Sequence, residues 1–113
     1  MKIVILTTVW KRPLVTDVFY KGIERLRKVC DVSLVIVGSE GNKTRERALR
    51  EGAEYVEYNN FPVGEKFNAG LAACEKYRPD YVITMNSDNV MCDNLFRKYL
   101  ECMEAGYDLI GIT

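Results

Sequence analysis

A chain of 113 residues, 48% hydrophobic and 28% charged, is long enough for one ordinary core and has neither a disordered composition nor that of a membrane-spanning chain. Sixteen basic residues balance 16 acidic ones, so the net charge of +0 offers no surplus for nucleic acid or an anionic membrane. The sequence contains no histidine, which removes Ser-His-Asp and Cys-His catalysis.

Residues 2–8 are short and rich in valine and isoleucine, a buried first strand. The apolar run is too brief for a signal peptide and meets Lys11-Arg12-Pro13 with no small-residue cleavage site, so a cytoplasmic protein is expected. Pro13 suits the first turn of a helix. From there Leu14, Val15, Val18, Phe19, Ile23, Leu26, Val29 and Cys30 recur at spacings of three and four, one inward stripe. Residues 32–37 form a second buried strand, released into the turn formers Gly38-Ser39-Glu40-Gly41-Asn42. A short helix over 43–51 closes at Gly52, and its basic run Lys43, Arg45, Arg47 and Arg50 is interleaved with Glu46 and Glu51, a salt-bridged solvent face.

Residues 53–58 read as an edge strand, followed by the loop Phe61-Pro62-Val63-Gly64 and a third helix over 65–77 with Phe67, Gly70 or Leu71, and Cys74 inward. The continuous apolar run Tyr81 to Met85 reads as a fourth strand buried on both faces. It stops on Asn86-Ser87-Asp88-Asn89, four side chains rich in oxygen. Asp93 caps a fourth helix with Leu95, Phe96, Tyr99, Leu100 and Met103 inward and Gly106 beyond its end, and residues 107–113 read as a fifth strand. The cysteines Cys30, Cys74, Cys92 and Cys102 include no C-x-x-C pair, and all are expected as reduced, inert thiols, Cys92 buried among them.

Strands alternating with helices specify a three-layer α/β/α domain spanning residues 1–113, with a mainly parallel sheet ordered about 3-2-1-4 plus the fifth strand. In such a sheet every loop that follows a strand leaves at the same edge. Residues 7–12, 38–40, 59–60 and 86–89 are therefore expected along one rim, where open α/β proteins hold ligands. Trp10 in that rim either stacks on a base or sugar or lies over the first helix. Ser87-Asp88-Asn89 reads in two ways. Either it is an Asx turn ending the strand, or Asp88 holds Mg²⁺ or Mn²⁺ against a diphosphate, a cation that needs few protein carboxylates when phosphate and water complete its shell.

The apolar strand running into Ser87-Asp88-Asn89 resembles the metal motif of GT-A fold glycosyltransferases, particularly family-2-like members. Residues 7–13 after the first strand, Val35-Ile36-Val37-Gly38-Ser39-Glu40 after the second, and Gly64-Glu65-Lys66-Phe67-Asn68-Ala69-Gly70 opening the third helix extend the resemblance in register. It implies a GT-A/Rossmann-like nucleotide-binding half and transfer of a hexosyl group from a nucleoside diphosphate sugar. By the same resemblance Thr7, Thr8 and Arg12 lie along the nucleoside and Ser39 and Glu40 near the base. Lys66 and Asn68 lie near base or phosphate, and Asp88 holds the metal; on the residues' own chemistry, Asn86, Ser87 and Asn89 beside Asp88 are placed to donate hydrogen bonds to the diphosphate. Lys66 also fits an anion site on its own physics, as a cation in the first turn of a helix. No residue presents itself as the acceptor's general base, so an acceptor-binding partner or a second copy covering a sheet edge is part of the expectation. The alternatives are a nucleotide-binding module without transfer and a nucleotidyltransferase of related fold, although residues 7–13 lack the glycines of the latter.

Overall fold

A computed structural model describes residues 2–10, 13–59, 62–86, 91–108 and 110–111. The elements run β1 (Ile3–Val9), α1 (Pro13–Val29), β2 (Val32–Gly38), α2 (Asn42–Arg50), β3 (Glu54–Glu57), α3 (Val63–Cys74), β4 (Tyr81–Thr84) and α4 (Asp93–Glu104), with one 3-10 turn at Glu75–Tyr77. The four strands form an all-parallel sheet ordered β3-β2-β1-β4, as the alternation of the sequence requires. Register is tight along the centre: Ile5 lies opposite Leu34 on one side and opposite Ile83 on the other.

The period of two along the central strands divides the core. Ile3, Ile5, Val32, Leu34 and Ile36 face Phe19, Tyr20, Ile23 and Leu26 of α1, Ala48 of α2, and Phe96 and Met103 of α4. Val4, Leu6, Val35 and Val37 face α3 through Cys74, with Phe67 and Ala73 at the margin. The result is three layers, with α1, α2 and α4 on one face and α3 on the other. Each fully buried side chain of the size of Phe19 or Phe96 contributes about 1.5–3 kcal/mol.

Burial and pairing depart from expectation at several places. Tyr81, Val82 and Ile83 are half-buried and Thr84 is exposed, because β4 pairs only with β1 and forms an edge of the described sheet. Of the fifth strand expected over 107–113, residues 109, 112 and 113 lie outside the described residues, and no strand occurs among the described ones. On α1 the stripe begins later than its periodicity suggests: Leu14, Val15 and Val18 are exposed, and burial starts at Phe19. On α3 Gly70 and Cys74 are buried and Phe67 is half-buried, as the spacing predicts with Gly70 rather than Leu71 inward, and Lys66 is buried beside them. All four cysteines are free, and Cys92 is exposed rather than buried.

Two glycines are explained by what they touch. A Cβ on Gly70 would lie 2.5 Å from Leu6 Cδ1 and 2.7 Å from Val37 Cγ2, so only glycine lets α3 settle onto the sheet. A Cβ on Gly38 would lie 2.6 Å from the Tyr55 hydroxyl, which crosses the end of β2. No helix among the described residues is long and apolar enough to cross a membrane.

Candidate functional site

Because the strands are parallel, β1, β2, β3 and β4 all end at one edge, at Val9, Gly38, Glu57 and Thr84. That edge carries Thr8, half-buried at the end of β1, Ser39, also half-buried, and Glu40, exposed, both after β2. Lys66 reaches it from α3. Its side chain is 1% exposed, and Nζ donates to the Val9 carbonyl at 2.9 Å and to Ser39 Oγ at 3.5 Å. One ammonium thus joins the end of β1, the loop after β2 and the start of α3. Lys66 is held inside the fold and is not a solvated residue of α3.

Burial pushes the Lys66 ammonium below its usual pKa, and the carboxylates of Glu40 and Glu57 oppose that shift. Glu57 is a residue that sequence reasoning missed. Its carboxylate accepts from the Gly41 amide at 3.1 Å and from the Tyr55 hydroxyl at 2.6 Å, which pins the loop between β2 and α2 against the end of β3. Burial, and after it that hydrogen bond, hold the Tyr55 phenol well above its usual range. The signal was legible, since Tyr55 and Glu57 are two apart on a strand and share a face.

Thr7 is fully buried, and its hydroxyl donates to the Met85 carbonyl at 2.6 Å. With the Met85 amide bonded to the Leu6 carbonyl at 3.0 Å, the hydroxyl fixes where the chain leaves β4. Asn68 is exposed on α3, two residues beyond Lys66, and Asn86 is exposed just past β4. Arg12, Ser87, Asp88 and Asn89 lie outside the described residues. The structure therefore brings Thr8, Ser39, Glu40 and Lys66 to one edge, sets Thr7 beneath it, and leaves Asn68 on the solvent side of α3.

The basic run on α2 behaves in part as its spacing implied. Arg47 pairs with Glu51 at 3.1 Å, one turn away, and with Asp17 of α1, and Arg45 lies over the Tyr55 ring at 5.5 Å. Trp10 is 42% exposed and lines a cleft between α1 and α2. Among the described residues no group of three or more His, Cys, Asp or Glu side chains is placed to hold a metal ion. What the rim offers chemically is a pair of hydroxyls, exposed carboxylate and amide groups, and a cation embedded just below them. Comparison with protein-family patterns, curated proteins and solved structures finds no match to this chain.

Proposed function

We propose that the chain binds a nucleoside diphosphate sugar at the carboxyl edge of its sheet and serves as the donor-binding part of a GT-A type glycosyltransferase. The observation that carries the reading is the convergence of Thr8, Ser39, Glu40 and Lys66, from three separated segments, on the one edge where open α/β sheets hold ligands. Glu40 and Ser39 meet the nucleoside. The embedded Lys66 charge raises the potential felt by the diphosphate, and Thr7 holds the exit of β4 through the Met85 carbonyl.

Asp88 is assigned the divalent cation, Mg²⁺ or Mn²⁺. Because Asn86-Ser87-Asp88-Asn89 contains one carboxylate, most of the cation's shell is expected from phosphate oxygens and water, and affinity for metal without nucleotide is expected to be weak. In the transfer an acceptor oxygen forms a bond to the anomeric carbon as the bond to the diphosphate breaks, and the diphosphate leaves carrying the electron pair. This chain's share is to bind and orient the donor.

The test is a melting-shift panel of UDP, GDP, CDP and dTDP sugars with and without Mn²⁺, repeated on Asp88→Ala. A rise of several degrees for one donor class that requires both Mn²⁺ and Asp88 supports the reading, since a ligand at about 100 times its Kd stabilises by about 2.7 kcal/mol. Absence of any shift across the panel rejects it. A shift without hydrolysis or transfer of the donor assigns binding without catalysis.

A further inference from the structure

The sheet has a second concavity on the face opposite α3. A cleft of about 400 Å³ opens between α1 and α2, within the range of small-ligand sites. Its walls follow from helical spacing: Thr16 and Tyr20 are one turn apart on α1, and Lys43, Arg47 and Arg50 rise along one side of α2. Asp17 and Glu40 are the acidic residues of the lining, and Asp17 is engaged by Arg47. Lys43 and Arg50 are exposed and make no ion pair among the described residues.

At the floor of this cleft lies an unsatisfied group. Tyr20 is 2% exposed, and its hydroxyl is the one buried side-chain polar atom among the described residues with no hydrogen-bond partner. The ring is held from two sides, by the Arg47 guanidinium 5.0 Å from its centroid and by the edge of Phe19 at 5.9 Å. The hydroxyl therefore stays where it is instead of turning to a new partner. Burial pushes the phenol up to about 12, so it remains a donor at neutral pH. Buried polar groups in folded proteins are nearly always paired, and an orphan in a cleft lined by cations marks where an acceptor oxygen belongs.

We propose that the cleft between α1 and α2 binds a small phosphomonoester, with a phosphate oxygen accepting the Tyr20 hydroxyl and Lys43, Arg47 and Arg50 countering the charge. Thr16 and Thr44, on facing walls, supply further hydroxyl donors. The cleft borders the rim proposed for the sugar nucleotide and shares Glu40 with it, but it needs neither Asp88 nor a metal, and its phosphate contacts at Tyr20, Lys43 and Arg50 lie outside that rim.

The experiment titrates the full chain, in EDTA, with ribose 5-phosphate, uridine monophosphate and inorganic phosphate, following amide shifts and heat. Ribose and uridine are the uncharged controls. The expected result is binding of the phosphomonoesters but not of the controls. Tyr20→Phe weakens it about tenfold, the usual effect of losing one hydrogen bond to a charged group, and the Lys43→Gln/Arg50→Gln double variant weakens it at least as much. Tyr20→Phe without ligand melts at or above the wild-type temperature, because an orphan hydroxyl has been removed. The proposal is overturned if no phosphomonoester binds at millimolar concentration, if Tyr20→Phe binds as well as wild type, or if inorganic phosphate binds as tightly as the esters.

Discussion

Lys66→Met separates the two roles that a buried ammonium can have. In the wild type the side chain is 1% exposed, with one hydrogen bond of 2.9 Å to the Val9 carbonyl and a longer one of 3.5 Å to Ser39. A hydrogen bond to a charged group contributes about 1.5–3 kcal/mol, while removing an ammonium from water costs several kcal/mol. Methionine keeps much of the volume, orphans one carbonyl and relieves that desolvation. Glu40 and Glu57 are exposed, so neither is left as a buried charge. The net change in stability is therefore small, within about 2 kcal/mol in urea unfolding. Binding behaves differently. A unit charge about 8 Å from a phosphate charge contributes about 2 kcal/mol at an effective dielectric of about 20, so nucleoside diphosphate affinity measured by calorimetry should fall roughly 30-fold. The pH dependence supplies a second readout. Burial lowers the folded-state pKa of Lys66, so between that value and the ordinary 10.5 the unfolded chain holds the extra proton. Stability from this group is therefore greatest above that window and is lost as pH falls through the folded value; the methionine variant lacks that slope. Destabilisation above about 3 kcal/mol with unchanged affinity would refute the reasoning and leave Lys66 as a strut between strands.

Three further outcomes are expected. Gly70→Ala places a methyl within 2.5–2.7 Å of Leu6 and Val37, and overpacking should outweigh the helix-propensity gain of about 1 kcal/mol, lowering stability by roughly 1–3 kcal/mol in urea melts. Thr7→Val conserves shape but leaves the Met85 carbonyl without its 2.6 Å donor, which should cost about 1–3 kcal/mol and speed hydrogen exchange at the end of β4. The Tyr20 phenol is raised from 10.0 to about 12, so its stabilisation is complete below pH 10 and fades as pH rises towards 12, by roughly 2–3 kcal/mol in all; Tyr20→Phe should remove that part of the alkaline loss in pH-dependent unfolding.

Periodicity made the layering readable. Alternating Val and Ile in the first two strands, and the strand-helix alternation, specify a parallel sheet ordered β3-β2-β1-β4, and the boundaries of β1, β2, α2 and α4 fall within a residue or two of their expected places. The apolar run 81–85 misled because continuous hydrophobicity implies a strand covered on both sides, whereas β4 borders the described sheet and its side chains are half-buried. The place of Lys66 in its helix points to the rim, but nothing local indicates that its long stem passes inside the fold. Its burial follows from the close seat of α3 that Gly70 permits. The Tyr20 hydroxyl is hidden from the sequence for a related reason. An aromatic on an apolar helix face reads as core, and only the geometry of α2 shows that its hydroxyl has been left unpaired.

The sugar-nucleotide proposal stands on a spatial claim, that a cation and a diphosphate sit together at one edge of the sheet. Paramagnetic broadening by substoichiometric Mn²⁺ with a nucleoside diphosphate tests it directly. Amide signals of Ser39, Glu40, Lys66 and Asn86 should broaden together, while those of Gly52 and Asp80 at the far edge stay sharp. Broadening centred on the far edge, or none until Mn²⁺ is in large excess, would contradict it.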